Sequence, residues 1–259
     1  VRPEIKFDPD AHAYEVKVDG EWQTDFPSVT TVVKATVPVP FSAGAWYGFK
    51  MGAQAAFYTW DRERDALRYG SDFDQFYEQV KKYENPNSVL MKAGDRGTLV
   101  HQAIEDYGLT GKAPDPQDFE PEDRKRIQGV AKWLLDNEPE FVAQEVRTAN
   151  VEFRYVGTFD AIVRFAAGDH KGKLALLDWK TSKRVYPDQH FPQLAAYKAA
   201  EAEAGYPDGK PEICAIVHIP ESGRVKLHES HDTFEDFEVL LNQYRSAKDR
   251  EARIKAAKK

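Results

Sequence analysis

The chain has 259 residues, 41% of them hydrophobic and 31% charged, which is long enough to bury a core in one large domain or two small ones. An aromatic share of 12% argues against disorder, and no apolar run approaches the ~20 residues needed to cross a bilayer. A single cysteine, Cys214, excludes an intrachain disulfide and any thiolate cluster, and a net charge of −7 does not suit a protein that merely coats nucleic acid.

These properties point to a reducing, cytoplasmic home with no membrane association. Cys214 lies in the apolar run "EICAIVHI" and reads as an inert core residue. No signal peptide opens the chain. Its first residue is Val1, as expected of a reading frame that begins upstream or of a trimmed tag.

In chain order, "IKFDPDAHAYEVKVDGEWQ" alternates and contains Asp19-Gly20, a hairpin signal. "DFPSVTTVVKAT" predicts a loop feeding a short helix with Ser28 as its N-cap. Residues 41–83, rich in alanine, aromatics and charges, predict two or more helices, and "ENPNS" breaks the pattern. "AGDRGTLVHQAIEDYGL" predicts a helix that stops near Gly108. A proline-rich connection and a helix over 121–137 follow, with Pro121 suited to the first turn.

From Phe141 the period changes. "FVAQEVR", "VEFRYVGTFDAIVRF" and "KLALLDWKTS" predict three strands, with turns at Thr148-Ala149-Asn150 and around 168–172. A helix over about 188–205 follows, then strands "EICAIVHIP" and "GRVKLHES" separated by a turn at 220–223, then a long helix from Thr233 to the end. The order predicts an α/β (α+β) fold with a central mixed sheet flanked by helices.

Charge is uneven along the chain. Residues 245–259 hold seven Lys or Arg against Asp249 and Glu251, a net of +5, which leaves the rest at −12. Two readings stand side by side: a solvated helix with i,i+4 pairs, or an arm that contacts phosphates.

Four Asp-x-Lys triplets occur, where about one is expected by chance at average composition. Only Asp178-Trp179-Lys180 ends an apolar strand, where period two sends Asp178 and Lys180 to one face. Asp160 interrupts a second apolar strand. Two carboxylates on adjacent strands repel unless a cation neutralises them, and hard divalent cations choose oxygen ligands. The pair therefore reads as a metal site, with Lys180 as a positive charge beside it. Without metal, the repulsion predicts that Asp178→Asn stabilises the protein. Glu145, in "AQEVR", is either a third acid of the site or a plain surface residue. His101 lies in a helix whose apolar face is Leu99, Ala103 and Ile104. Gln193 and Tyr197 share a helix face, with Tyr197 expected in the core and Gln193 in solvent.

In order, "RGTLVH", "GTFD", "LLDWKTSK" and "QLAAY" resemble the motifs of the RecB-like branch of the PD-(D/E)XK nuclease superfamily. "FPSVTTVV" is similar to the segment that opens many stand-alone phage and mitochondrial genome-maintenance exonucleases of that branch. The resemblance implies one nuclease domain over 1–259: an N-terminal elaboration (1–95), a catalytic core (96–232) and a basic C-terminal helix (233–259).

It also implies roles. His101, Asp160 and Asp178, with the Trp179 carbonyl and Glu145 as a further candidate, bind Mg²⁺ or Mn²⁺. Lys180 orients or activates the attacking water and stabilises the phosphoryl transition state. Gln193 and Tyr197 position the scissile phosphate or the bases beside it. Ser28, Arg96, Thr181, Ser182, Lys183 and Arg184 face DNA or support the loops that do. Residues such as Trp46, Tyr47 and Phe57 belong to core packing or to a stacking wall for unpaired bases.

Some relatives, including CRISPR-associated exonucleases and AddB-type proteins, hold an iron–sulfur cluster on four cysteines. With Cys214 alone this chain has no such ligand set. It also lacks a Walker-type loop, so unwinding requires a helicase or recombinase partner, or a substrate that already has an end. The implied activity is a metal-dependent DNA exonuclease of phage-type recombination or repair, acting on single-stranded or end-bearing duplex DNA. The alternatives are a structure-specific endonuclease and a catalytically idle DNA-binding module on the same fold.

Overall fold

The computed structural model describes residues 2–37 and 86–257, apart from 10, 12, 203–205, 207 and 208, with side chains described from residue 96 of the second segment. The helices expected over 41–83, with Trp46, Tyr47 and Phe57, lie outside the described residues. The backbone divides into two compact units, Val1–Val37 with Val100–Lys259, and Pro38–Leu99.

An N-terminal antiparallel sheet joins β1 (Ile5–Asp8), β2 (Ala13–Val18) and β3 (Glu21–Gln23). The β2–β3 turn is the Asp19-Gly20 pair, with φ of 51° and 89°, the left-handed pair that a two-residue hairpin requires. Helix α1 (Val29–Thr36) follows. Ser28 caps it, its hydroxyl accepting from the Thr31 N–H, and Val29, Val32 and Val33 turn into the core.

Helix α2 (Pro86–Thr110) begins inside "ENPNS", where a proline fits the first turn, and ends at Gly111, whose positive φ relieves the last turn. A 3₁₀ turn (Pro116–Asp118) leads to α3 (Arg124–Asn137), which starts later than Pro121 because residues 121–123 form a turn.

The central sheet has five strands in chain order: β4 (Pro139–Asn150), β5 (Tyr155–Phe165), β6 (Leu174–Lys180), β7 (Ile213–His218) and β8 (Lys226–Glu229). All pairs are antiparallel except β6–β7, which are joined through α4 (Pro187–Ala200) as a parallel crossover. The turn expected at Thr148-Ala149-Asn150 is strand: these residues pair with Gly157, Val156 and Tyr155, and the chain reverses over 151–154. Helix α5 (Phe234–Ala256) closes the fold, with a capping box between Thr233 and Asp236.

The main core gathers Val29 and Val33 of α1, Tyr155, Phe159 and Ile162 of β5, Leu174 and Leu176 of β6, Leu194 and Tyr197 of α4, and Phe237 and Leu241 of α5. Across the sheet, Trp133 of α3 packs edge-on against Phe165 and Trp179. Cys214 is buried, as its apolar run implied.

Candidate active site

The sheet forks at the two aspartates. The β5–β6 pairs run from Arg164↔Leu174 to Ala161↔Leu177 and stop there. Beyond that point β5 no longer pairs with β6 but stays with β4 and, at Val156, bridges Ser28, while β6 continues beside β7 to Lys180↔His218. The next residue on each inner strand is Asp160 and Asp178. The Trp179 N–H, released from the ladder, donates to Asp160 Oδ2 at 2.5 Å. The acid that interrupts the apolar strand β5 thus serves a structural need, since it satisfies a buried N–H where two strands part.

The register that pairs Gln144 with Ala161 and Val146 with Phe159 sets Glu145 opposite Asp160. Glu145 has φ +47°, a left-handed conformation that costs a side-chain-bearing residue roughly 1–2 kcal/mol. The strand alternation breaks at the same place, because Phe159 and Ile162 enter the same core cluster although three residues apart. The backbone is therefore bent where Glu145 and Asp160 face each other.

His101 reaches the fork from α2. His101, Glu145 and Asp160 each offer one ligand atom, and these atoms lie within 4.8 Å of one another. His101 Nδ1 is 3.6 Å from Asp160 Oδ1, and its Nε2 is 3.2 Å from the Trp179 carbonyl oxygen. Burial holds the imidazole below its usual pKa, with Lys180 adding to the effect, so its lone pair is available at neutral pH.

Asp178 is buried and its Oδ2 meets the Lys180 ammonium, as period two required. Asp178 lies beside the cluster of three and is not one of its members. Burial, then the Asp178 charge, push the Asp160 carboxyl well above its ordinary range. Burial, Glu105 and Asp178 raise Glu145. Burial opposes a charged Lys180, but Asp178 and Asp160 overcome it and raise its pKa. Asp178 and Asp160 thus share the Lys180 ammonium, with Glu145 as a third acid nearby, and carboxyls outnumber cations at the site.

Gln193 and Tyr197 are both buried, so Gln193 is not on the solvent face. The Tyr197 ring packs on Phe159, and its pKa is raised well above normal by burial and by Asp178 and Asp160. Gly157 makes room for it: a Cβ there would lie 2.7 Å from Tyr197 Cε1. This close approach accounts for the glycine of "GTFD".

After β6, Ser182 is tied twice, its hydroxyl to the Arg184 carbonyl and its own carbonyl to His218 Nε2, at 2.8 Å in each case. Thr181 is half-buried, Lys183 is exposed, and Arg184 lies over the Tyr186 ring. Arg96 lies on α2, five residues before His101. Ser28 is a buried cap that also bonds the Thr31 hydroxyl.

Two histidines that sequence patterns did not single out border the site. His190 is buried, with its pKa held to about 4 by burial and by the Lys180 charge. His218 stands beside Lys180 in the parallel register. The signal for His190 was its place three residues before Gln193, on the same helix face.

The model of the PD-(D/E)XK nuclease superfamily matches residues 71–258. The chain belongs to the PD-(D/E)XK nuclease superfamily. No curated protein matches it at a significant level. Among solved structures, that of SSO0001 is similar over 85% of this chain and 75% of its own, at 16% identity and a TM-score of 0.37.

PD-(D/E)XK nucleases use divalent metals, typically Mg²⁺ or Mn²⁺, and act on DNA. The fork suits such an ion on its own evidence. Its donors are oxygens and one neutral imidazole, and its excess of carboxyls calls for a cation. Among the described residues, no helix is long and apolar enough to cross a membrane.

Proposed function

We propose that the protein is a divalent-metal-dependent DNA exonuclease of the RecB-like branch, acting from DNA ends in phage-type recombination or repair. The observation that supports this most is the meeting of His101, Glu145 and Asp160 beside the Asp178–Lys180 pair at the fork. His101, Asp160, Asp178, Glu145 and the Trp179 carbonyl would hold Mg²⁺ or Mn²⁺. When bound, such an ion supplies a water of lowered pKa and draws charge from the phosphoryl oxygens.

The chain's own residues do the rest. Lys180 keeps its proton in the company of Asp178 and Asp160, so it acts as a hydrogen-bond donor and positive charge toward the water and the scissile phosphate. Tyr197 and Gln193, on one helix face, hold the phosphate or the neighbouring base. Tyr197 keeps its proton and can only donate from its hydroxyl or accept at a lone pair. Asp160 holds the Trp179 N–H and so fixes the spacing of the two strands that carry the acids. Thr181, Ser182, Lys183, Arg184, Arg96 and Ser28 line or brace the path of the strand. A helicase or recombinase partner would expose the ends.

The test is one assay on end-labelled linear DNA, single- and double-stranded, beside a covalently closed circle. Mononucleotide or short products from linear DNA, with the circle intact, are expected with Mn²⁺ or Mg²⁺. Cutting of the circle would assign an endonuclease. Tight binding with no cleavage under either metal would assign an idle DNA-binding module.

A further inference from the structure

A nuclease must hold a polyanion, yet this chain is net −7 and its residues before 245 sum to −12. The basic charge is concentrated in the last turns of α5, and the structure shows how that helix is built. Its first half is core: Phe237 and Leu241 are fully buried, and Phe234 packs on Phe153. Arg245 is the hinge between halves, its guanidinium donating to the carbonyls of Phe153 at 2.6 Å and Arg154 at 3.4 Å. From Ser246 to Ala257 every residue is exposed.

A helical segment whose every residue is exposed draws little stability from tertiary structure. Among the described residues, none pairs with Arg250, Arg253 or Lys255, and Lys248 has the exposed Glu251, at 3.2 Å, and a distant contact over the Tyr244 ring, at 5.9 Å. An exposed pair of that kind yields readily to a phosphate. A groove of about 290 Å³ joins the base of this segment, at Tyr244 and Lys248, to Phe26 and Pro27 beside the α1 cap.

We propose that residues 246–257 form an arm that binds the phosphates of duplex DNA whose end lies in the forked site. This rests on the nuclease reading of that site. Charge complementarity commits the surface to DNA rather than to a protein partner.

The geometry gives a length rule. Arg245 is anchored to Arg154, six residues along β5 from Asp160, or about 20 Å at ~3.3 Å per residue. The exposed helical residues 246–256 add up to ~16 Å at 1.5 Å per residue. With the arm taken to run outward on the line of β5 and along the duplex, at 3.4 Å per base pair it meets DNA from about 6 to about 11 base pairs beyond the cleaved bond.

The experiment compares the full-length protein with a Lys248→Ala, Arg250→Ala, Arg253→Ala, Lys255→Ala variant. Alanine preserves the helix, which circular dichroism checks. Binding is measured in Ca²⁺ to duplexes of 6 and 20 base pairs across a salt series. On 20 base pairs the slope of log K against log salt should fall by about 2 to 4, at ~0.9 for each phosphate that the arm neutralises. On 6 base pairs the two proteins should bind alike.

An unchanged slope on the long duplex overturns the proposal and leaves a solvated helix. An equal weakening on both lengths overturns it too, because it would report overall charge rather than an arm. Cleavage by the wild type with Mn²⁺ is scored separately. Its absence would refute the nuclease reading while the binding slopes still stand on their own.

Discussion

Replacing Glu145 by glutamine should stabilise the metal-free protein while it weakens the response to metal. Glu145 and Asp160 stand opposite each other, with ligand atoms within 4.8 Å. Two full charges at that distance repel by about 3.5 kcal/mol at an effective dielectric of ~20. The Glu145 side chain is partly open to solvent and Asp160 holds its proton to a raised pKa, so about 1–2 kcal/mol is the reasonable share. For a chain of this length that raises the apo melting midpoint by about 2–4 °C. Glutamine keeps the left-handed backbone of residue 145, so the strain is common to both proteins and the charge is isolated.

The pH dependence has a definite sign. Both carboxyls have folded pKa values raised above the ~4 of the unfolded chain. Above pH ~4 the folded state therefore holds more protons than the unfolded one, and stability falls as pH rises through the raised values. Melting curves from pH 4 to 8, with and without Mn²⁺, should show a shallower decline and a smaller metal-induced shift in Glu145→Gln. A variant whose apo midpoint is unchanged or lower, with the wild-type pH slope intact, would refute this account of the fork.

Asp178→Asn should act opposite to the expectation drawn from sequence. Asp178 is held by Lys180, so the asparagine leaves the ammonium with Asp160 alone and should lower the apo midpoint, by about 1–2 kcal/mol after allowance for the partly exposed lysine. Asp160→Asn, Asp178→Asn and Lys180→Ala should each reduce cleavage at least ~100-fold with the fold retained by circular dichroism, about 3 kcal/mol of transition-state stabilisation. Mn²⁺ should support cleavage at lower concentration than Mg²⁺, and His101→Ala should remove most of that difference, because an imidazole suits Mn²⁺ better. Arg2→Ala should cost about 3 kcal/mol without changing the Mn²⁺-induced shift, since among the described residues it leaves the buried Glu201 carboxylate with the Tyr206 hydroxyl alone.

What was legible in the sequence followed periodicity. The apolar run before Asp178 marked a central strand, and Asp19-Gly20 marked a hairpin, because each rests on a local rule that the tertiary fold does not override. The turn placed at Thr148-Ala149-Asn150 failed for a physical reason. Polar and small residues there are tolerated in a long strand, since Thr148 and Ala149 are buried against β5 and the hairpin sheet, and the reversal comes at 151–154.

The site was legible in its parts and not in its connections. Asp160 and Asp178 announced themselves by interrupting apolar strands. That Asp160 would take up the Trp179 N–H could not be read, because it depends on β5 and β6 parting after Ala161 and Leu177. The same fork explains why Glu145 was left undecided. Its row in the sheet is a matter of register, and its left-handed φ marks no residue type that sequence rules favour there. A glutamate held in a costly conformation opposite a second acid persists only where the surroundings over-determine it. Strain and repulsion act on the same two residues, so relieving either alone should leave the other. Gly in place of Glu145 removes both, and its apo midpoint relative to Glu145→Gln measures the backbone strain by itself. A gain over glutamine of up to ~1 kcal/mol, after the entropy that glycine adds to the unfolded chain, is the expected result. A glycine variant less stable than the glutamine variant by more than that entropy would mean the left-handed residue is held by side-chain packing that the fork needs even without metal.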